Sequence, residues 1–442
     1  MRTGEGGGKR YFRDVSFTFG ARVLGLVLAI SASVIAARFL GPGGKGALAV
    51  IGLVSSLAIQ FGDLGLHASA TYFTARHPEA LSRIAGLSLW VGALAGTVLS
   101  LVVLAVVWIF SESVNEIPRR FFLIPAIIIP FGLLSLYFQS ILLGMQRITT
   151  FNLIDLAGRA AGLAATVALL PVLGRGLWEL LVAGLAISVG GSLVTIWLVI
   201  REAPPVMLAD WRLGRDMLRY GLKLYVACLL AYLVIRVDLF MVNYFSGMTE
   251  AGLYSVPVSL ADVLFMLPTS AGTVLFPRIA HDQVGETALT LKTCRYTVLL
   301  MGGSCLVTGL VANPIIVTLY GPAFAGSVLP LVLLLPGIFF LSIEMILAND
   351  LAGRGYPFVL VGYWCISLLL NIGANLVAIP RWGAAGAAST SSLTYFVMFA
   401  LVFRCFLSKS RSLWHRALFL EAQELQGLCR SLRRLLVLPD AR

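Results

Sequence analysis

Charge is what this chain has least of. Asp, Glu, Lys and Arg make up 12% of its 442 residues. Soluble domains carry about 25%, so a soluble globular protein is excluded. Signatures of catalysis are missing too: there is no HExxH, no P-loop, no GxSxG and no CxxC. The four histidines, His67, His77, His281 and His415, are widely scattered. The six cysteines (Cys228, Cys294, Cys305, Cys365, Cys405 and Cys429) fall within apolar runs, near their inner ends or in the tail. None lies in an outer loop, which argues against disulfides and metal sites. A membrane glycan polymerase or transferase would need a sizeable outer loop, and the outer connections here are about ten residues at most.

What the chain has in excess is apolar length. It is 59% hydrophobic with a mean hydropathy of +0.91. Runs of about 20 apolar residues, each able to cross a hydrocarbon layer of about 30 Å, recur about twelve times. They cover roughly 15–37, 47–73, 84–110, 121–143, 151–171, 177–200, 217–244, 251–276, 295–319, 327–349, 357–379 and 384–407. The expected fold class is an all-α polytopic membrane protein. The net charge of +12 does not point to nucleic acid, because its distribution follows topology. With the N-terminus inside, the inner segments hold most of the cations, among them Lys9, Arg10, Arg13, Arg76, Arg83, Arg147, Arg212 and Arg278. The outer segments hold only Arg38, Lys45, Arg119, Arg120, Arg175 and Arg381. That bias places both termini in the cytoplasm, and the expected location is a bacterial cytoplasmic (inner) membrane. The first span has no small-residue cleavage site after it and reads as a retained anchor.

The chain also repeats itself. Phe39/Phe245, Gly41/Gly247, Gly46/Gly252 and Val50/Val256 are each 206 residues apart. Arg147 and Arg354 are separated by 207, and Pro171–Gly174 matches Pro380–Gly383 at 209. Two halves of six spans each, in the same orientation, are related by an axis along the membrane normal, with a site expected between them. The organisation is therefore a cytoplasmic N-terminus (1–13), a first lobe (14–200), a linker (201–216), a second lobe (217–407) and a basic amphipathic tail (408–442) suited to the inner leaflet or a partner helix. Prolines at 125, 130, 257, 268, 330 and 336 are candidate kink points.

Charges inside the spans are the candidate functional groups. A charge at the centre of a bilayer costs at least about 2.5–3.5 kcal/mol on insertion scales, so such residues face wet cavities or partners. Arg22, Arg159 and Arg236 are three such cations, and a guanidinium fork binds two phosphate oxygens at once. Arg22 has no acid within a helical turn and either contacts an anion or snorkels to the interface. Arg159 follows Asp155 by four residues, which also fits a structural ion pair. Arg236 and Asp238 point to different faces and need separate partners. Asp262 and Glu344 are further deep acids, free to titrate, bind a cation or neutralise an arginine. Asn371 and Asn375 share one helix face, and Ser389, Thr390 and Ser391 cluster on the next helix. Such oxygens suit a hard cation, or serve as polar glue between helices.

Several short segments, in order and with consistent spacing, resemble the multidrug/oligosaccharidyl-lipid/polysaccharide exporters, above all the Wzx-type polysaccharide flippases. They are Ala21-Arg22-Val23-Leu24-Gly25, Arg38-Phe39-Leu40-Gly41-Pro42, Asp63-Leu64-Gly65-Leu66, Leu143-Gly144-Met145-Gln146-Arg147, Arg236-Val237-Asp238, Ala251-Gly252-Leu253-Tyr254-Ser255 and Phe276-Pro277-Arg278. The resemblance covers about residues 12–407. It implies two six-helix lobes in a V, alternating access, and a cationic cavity. The cargo it implies is an undecaprenyl-pyrophosphate-linked oligosaccharide, moved from the inner to the outer leaflet with no enzymatic step. Arg22, Arg236 and Arg159 would hold the pyrophosphate. The related lipid II flippases carry a sodium site whose pattern falls on Asp238, Asn371, Asn375, the carbonyl of Ala387 and Ser391. Asn375 stands where that pattern has an aspartate, and Leu28 where the family has a second arginine. Na+ or H+ is the expected coupling ion, and polysaccharide assembly proteins are expected contacts. The alternatives are a drug or metabolite cation antiporter of the same fold and a lipid II flippase.

Overall fold

The computed structural model describes residues 4–109, 117–206, 210–281, 287–354 and 357–410. Everything regular among them is helical. Three continuous helical stretches are too long for a single crossing. Phe17–Asp63, Tyr225–Thr269 and Phe358–Lys409 contain 47, 45 and 52 residues, or roughly 70–80 Å at 1.5 Å per residue. Each is broken by one glycine outside helical geometry: Gly41 (φ 66°, ψ −178°), Gly247 (φ 84°, ψ 176°) and Gly383 (φ 54°, ψ −133°). A side chain would clash at these angles, so glycine is the residue that turns the chain there.

Divided at those glycines, the described residues form twelve helices. They are α1 (4–40), α2 (42–63, continued by Leu66–Arg76), α3 (Leu81–Ile109), α4 (Leu123–Gly144), α5 (Ile148–Val167) and α6 (Leu177–Glu202). The second set is α7 (211–246), α8 (248–281), α9 (Thr287–Leu310, bent by 65° into Ala312–Tyr320), α10 (Val328–Gly353), α11 (357–382) and α12 (384–410). The chain is a multi-pass membrane protein of the expected fold class. The linker between the halves is shorter than its polar composition indicates, because α6 runs to Glu202 and α7 starts at Trp211. Residues 4–13 continue α1 as helix. The proposed amphipathic tail beyond Ser410 lies outside the described residues.

Prolines do not set the breaks. Helices run on through Pro130 and Pro336, while the chain reverses at glycines. The reason is backbone reach. Proline only removes a hydrogen bond and bends a helix, whereas glycine enters positive φ and turns it. The repeat is visible in these angles. Gly41 and Gly247 share one unusual conformation, and Gly174 (φ 59°), in the α5–α6 turn, matches Gly383 in the α11–α12 turn.

Two seams join the halves. At the face carrying the Gly41 and Gly247 turns (the hinge face), Gly46 and Gly252 pack backbone to backbone. A Cβ on Gly46 would collide with the Met248 carbonyl, and one on Gly252 with the Pro42 carbonyl. Arg38 also reaches across, donating from Nε to the Leu319 carbonyl at 2.7 Å and from Nη2 to that of Thr318. At the opposite face, which carries the linker, the Tyr225 hydroxyl lies 3.0 and 3.1 Å from the carbonyls of Phe61 and Gln60. There Ser69 donates to Met217 O at 2.6 Å, and Tyr72 stacks on Tyr220 with centroids 4.5 Å apart.

Candidate functional site

Between the seams lies a cavity of 380 Å3 bordered by α1, α5 and α8. Arg22 and Leu26 come from α1, Asp155 and Arg159 from α5, and Asp262, Phe265, Met266 and Thr269 from α8. Arg22 and Arg159 are therefore neighbours in a shared space. Gly25 makes this possible: a Cβ there would stand 3.0 Å from Arg159 Cδ, so the bare backbone lets Arg159 lie against α1, one turn from Arg22. The cavity is open. Arg159 and Asp155 are 44% and 48% exposed, and Arg22 is exposed as well. The arginines are not sealed in apolar packing, because two six-helix halves cannot close over three guanidiniums without desolvating them.

Two of the arginines carry an internal counter-ion. Arg159 Nε donates to Asp155 Oδ2 at 2.9 Å within α5. Arg236 Nη2 bridges both oxygens of Asp262, at 3.0 and 2.9 Å, from α7 to α8. The ion pair and the cavity position, alternatives for Arg159 in the sequence, hold together. Arg22 has no hydrogen-bond or ion-pair partner among the described residues.

Behind Arg236 a smaller pocket of 150 Å3 enters the second half. Asp262 and Phe265 belong to both spaces, so the two adjoin. Asp238 lines it at 1% exposure. As expected, Asp238 and Arg236 have separate partners. Asp238 accepts from the Tyr254 hydroxyl, from Ser391 Oγ at 2.9 Å and from the Leu239 amide at 2.7 Å. Tyr254 and Tyr395, which also line the pocket, carry no charge signal and were not singled out from sequence. Tyr254 does stand in the quoted segment Ala251–Ser255.

The other members of the expected cation set lie beside this network. Asn375 Nδ2 donates to Asn371 Oδ1 at 3.0 Å. Thr390 Oγ1 lies within hydrogen-bond reach of Asn375 Oδ1 and, at 3.0 Å, of the Ala387 carbonyl. Asn371, Asn375, Ala387 and Ser391 are fully buried, and Ser391, next to Thr390 in the chain, donates to Asp238. The donor set (one carboxylate, two amide oxygens, a carbonyl and a hydroxyl) fits a hard cation in chemistry. Asn371 Nδ2 is buried with no hydrogen-bond partner among the described residues.

Comparison with known proteins places the fold. Residues 11–282 match the model of the family described as polysaccharide biosynthesis protein. An uncharacterized membrane protein of Methanocaldococcus jannaschii is 24% identical over 225 residues, half of this chain and 44% of the relative, so the chain covers less than half of that protein. Among solved structures, lipid II flippase MurJ in an inward closed conformation superimposes with a TM-score of 0.71 at 13% identity, covering 91% of this chain and 88% of its own. An inward-facing multidrug resistance MATE family transporter of the MOP superfamily gives 0.68 at 14% identity, covering 87% and 94%. At these identities the likeness is one of fold.

Proposed function

Because this chain belongs to the polysaccharide biosynthesis protein family, we propose that it is a flippase for a polyprenyl-pyrophosphate-linked oligosaccharide, with undecaprenyl the expected carrier. One observation carries the reading: guanidiniums from both halves border two adjoining spaces, the cavity between the lobes (Arg22, Arg159) and the pocket that enters the second half (Arg236), two of them already neutralised by carboxylates. Across the two spaces Arg22, Arg159 and Arg236 stand with Asp155, Asp262 and Asp238, and among the described residues Arg22 is the guanidinium without a carboxylate partner. An arriving pyrophosphate binds Arg22 and draws Arg159 and Arg236 from their aspartates, because bidentate guanidinium–phosphate contacts are among the strong hydrogen bonds. Release reverses the exchange. The empty cavity returns nearly neutral, which limits the cost of moving bare charge across the membrane.

The linker face is the cytoplasmic one in this reading, by the bias of Lys and Arg toward it. That puts both termini inside and the Gly41/Gly247 face outside, in a bacterial inner membrane. Asp238 with Ser391, Asn371, Asn375 and the Ala387 carbonyl is the proposed site for a coupling ion, Na+ or H+. Its position behind Arg236 puts its charge next to the cargo's. Polysaccharide assembly proteins are the proposed partners.

Lipid mass spectrometry on the protein purified gently from its native membrane tests this. Wild type should retain a polyprenyl-pyrophosphate glycan that Arg22→Ala/Arg236→Ala loses. Lipid II in its place would make the protein a lipid II flippase. No such lipid, together with efflux of cationic dyes, would make it a cation antiporter, a cargo that the unpaired Arg22 disfavours.

A further inference from the structure

The first half holds a second cavity that shares no lining residue with the arginine site. It measures 410 Å3 and lies among α1, α2, α4, α5 and α6. Its α1 wall runs from Ala29 to Ala36 and its α2 wall from Leu48 to Ser55, which places it toward the hinge face. Ser33, Ser55 and Thr166 are its only polar side chains. Glycine holds it open. Gly52, Gly162 and Gly184 line it, and a Cβ on any of them would meet nothing within 4 Å. At Gly46 and Gly252 the same added atom strikes backbone. Interiors are close-packed with few voids larger than water, and 410 Å3 is the size of a ligand pocket.

A cation stands against its wall, bonded to a lining residue. Lys45 is 7% exposed. It precedes Leu48, Gly52 and Ser55 by three, seven and ten residues, so it shares their face of α2. Its Nζ donates to Ser33 Oγ, on the cavity wall, at 2.8 Å. Among the described residues no carboxylate pairs with it. Buried charges are ordinarily paired, and a hydroxyl supplies a dipole but no counter-charge.

We propose that this cavity binds an amphipathic anion: one apolar chain filling the space among the glycines, its phosphate or carboxylate on Lys45. The walls suit a slender chain because α1 and α5 present only small residues and threonine while α4 and α6 supply isoleucine and leucine, and the ammonium rejects a cationic head. The chemistry has two sources, a membrane lipid or, if the proposed cargo is right, the prenyl phosphate end of that cargo.

The test is native mass spectrometry of the purified full chain with dodecyl phosphate as probe. Wild type retains it. Lys45→Gln and the double variant Gly52→Leu/Gly184→Leu each retain it about tenfold less, the loss of one charge contact or of the space. The glycine variant also holds or raises its melting temperature, since the added side chains enter open volume. Each variant is also made in the Arg22→Ala/Arg236→Ala background, which removes the phosphate contacts proposed for the arginine site; the same losses there show binding at this cavity, so a failed cargo assignment is distinguishable from a failed cavity. Displacement of the probe by undecaprenyl phosphate identifies the cargo end as the natural occupant; displacement by phosphatidylglycerol alone identifies a membrane lipid. Equal retention by wild type and the glycine variant, or none by wild type, overturns the proposal, and the glycine variant decides alone where Lys45→Gln does not fold.

Discussion

Gly46 and Gly252, 206 residues apart, occupy equivalent places in the two halves and press against each other's turn. Each would drive a Cβ into the carbonyl of the residue that opens the other's helix, Met248 for Gly46 and Pro42 for Gly252. The reciprocity is that of a two-fold axis, and it brings the two halves into direct backbone contact at the hinge face.

Leucine at position 252 should therefore hold that seam apart. An overpacked contact costs about 1–3 kcal/mol, enough to shift a transporter between states that differ by a few kcal/mol. Spin labels at Phe39 and Leu319, either side of the Arg38 bridge, should read a longer distance in Gly252→Leu, and transport should fall. An unchanged distance with full transport would show that the glycines are mere packing.

Asp262 is expected to act on release, not on capture. In Asp262→Asn, Arg236 loses its internal counter-ion and holds a pyrophosphate ligand about tenfold more tightly, while turnover slows. Arg236→Ala weakens the same binding. Equal loss of affinity in both variants would mean that the pair is purely structural.

Arg22 has no internal counter-ion among the described residues, so its role is the easiest to isolate. Arg22→Ala should abolish export while expression and melting temperature stay near wild type. Arg22→Lys should recover only part, because an ammonium lacks the two-pronged contact. Full export in Arg22→Ala would remove it from the site.

The Asp238 network predicts an ion effect. If Na+ is the coupling ion, it should stabilise wild type against heat, since a ligand bound only to the native state adds RT ln(1 + [L]/Kd). Asp238→Asn and Ser391→Ala should abolish that gain. Transport that ignores Na+ and survives Asp238→Ala would exclude Na+ coupling through this carboxylate.

Some of the site was legible in the sequence. Arg22 and Arg159 were visible as charges in apolar runs, and Asp155–Arg159 as an i,i+4 pair, because spacing along one helix fixes which side chains share a face. Arg236–Asp262 was not. Its partners are 26 residues apart on antiparallel helices joined at Gly247, and whether they meet depends on how far each helix rotates about its own axis. Tyr254 and Tyr395 gave no signal, since a buried tyrosine reads as core until its hydroxyl is seen beside a carboxylate. Lys45 read as an outer-loop cation counted for topology, and only packing shows it buried at 7% exposure.

What the sequence determined by itself is the number of crossings, the two-fold repeat and the turn points. Lipid supplies no hydrogen bonds, so each crossing must be a self-satisfied apolar helix of fixed minimum length, and a reversal at positive φ selects glycine. Tertiary structure alone decided which charges meet, which cavity each faces and where glycine leaves space. Those depend on helix rotation and on side-chain volumes brought together from helices far apart in the chain.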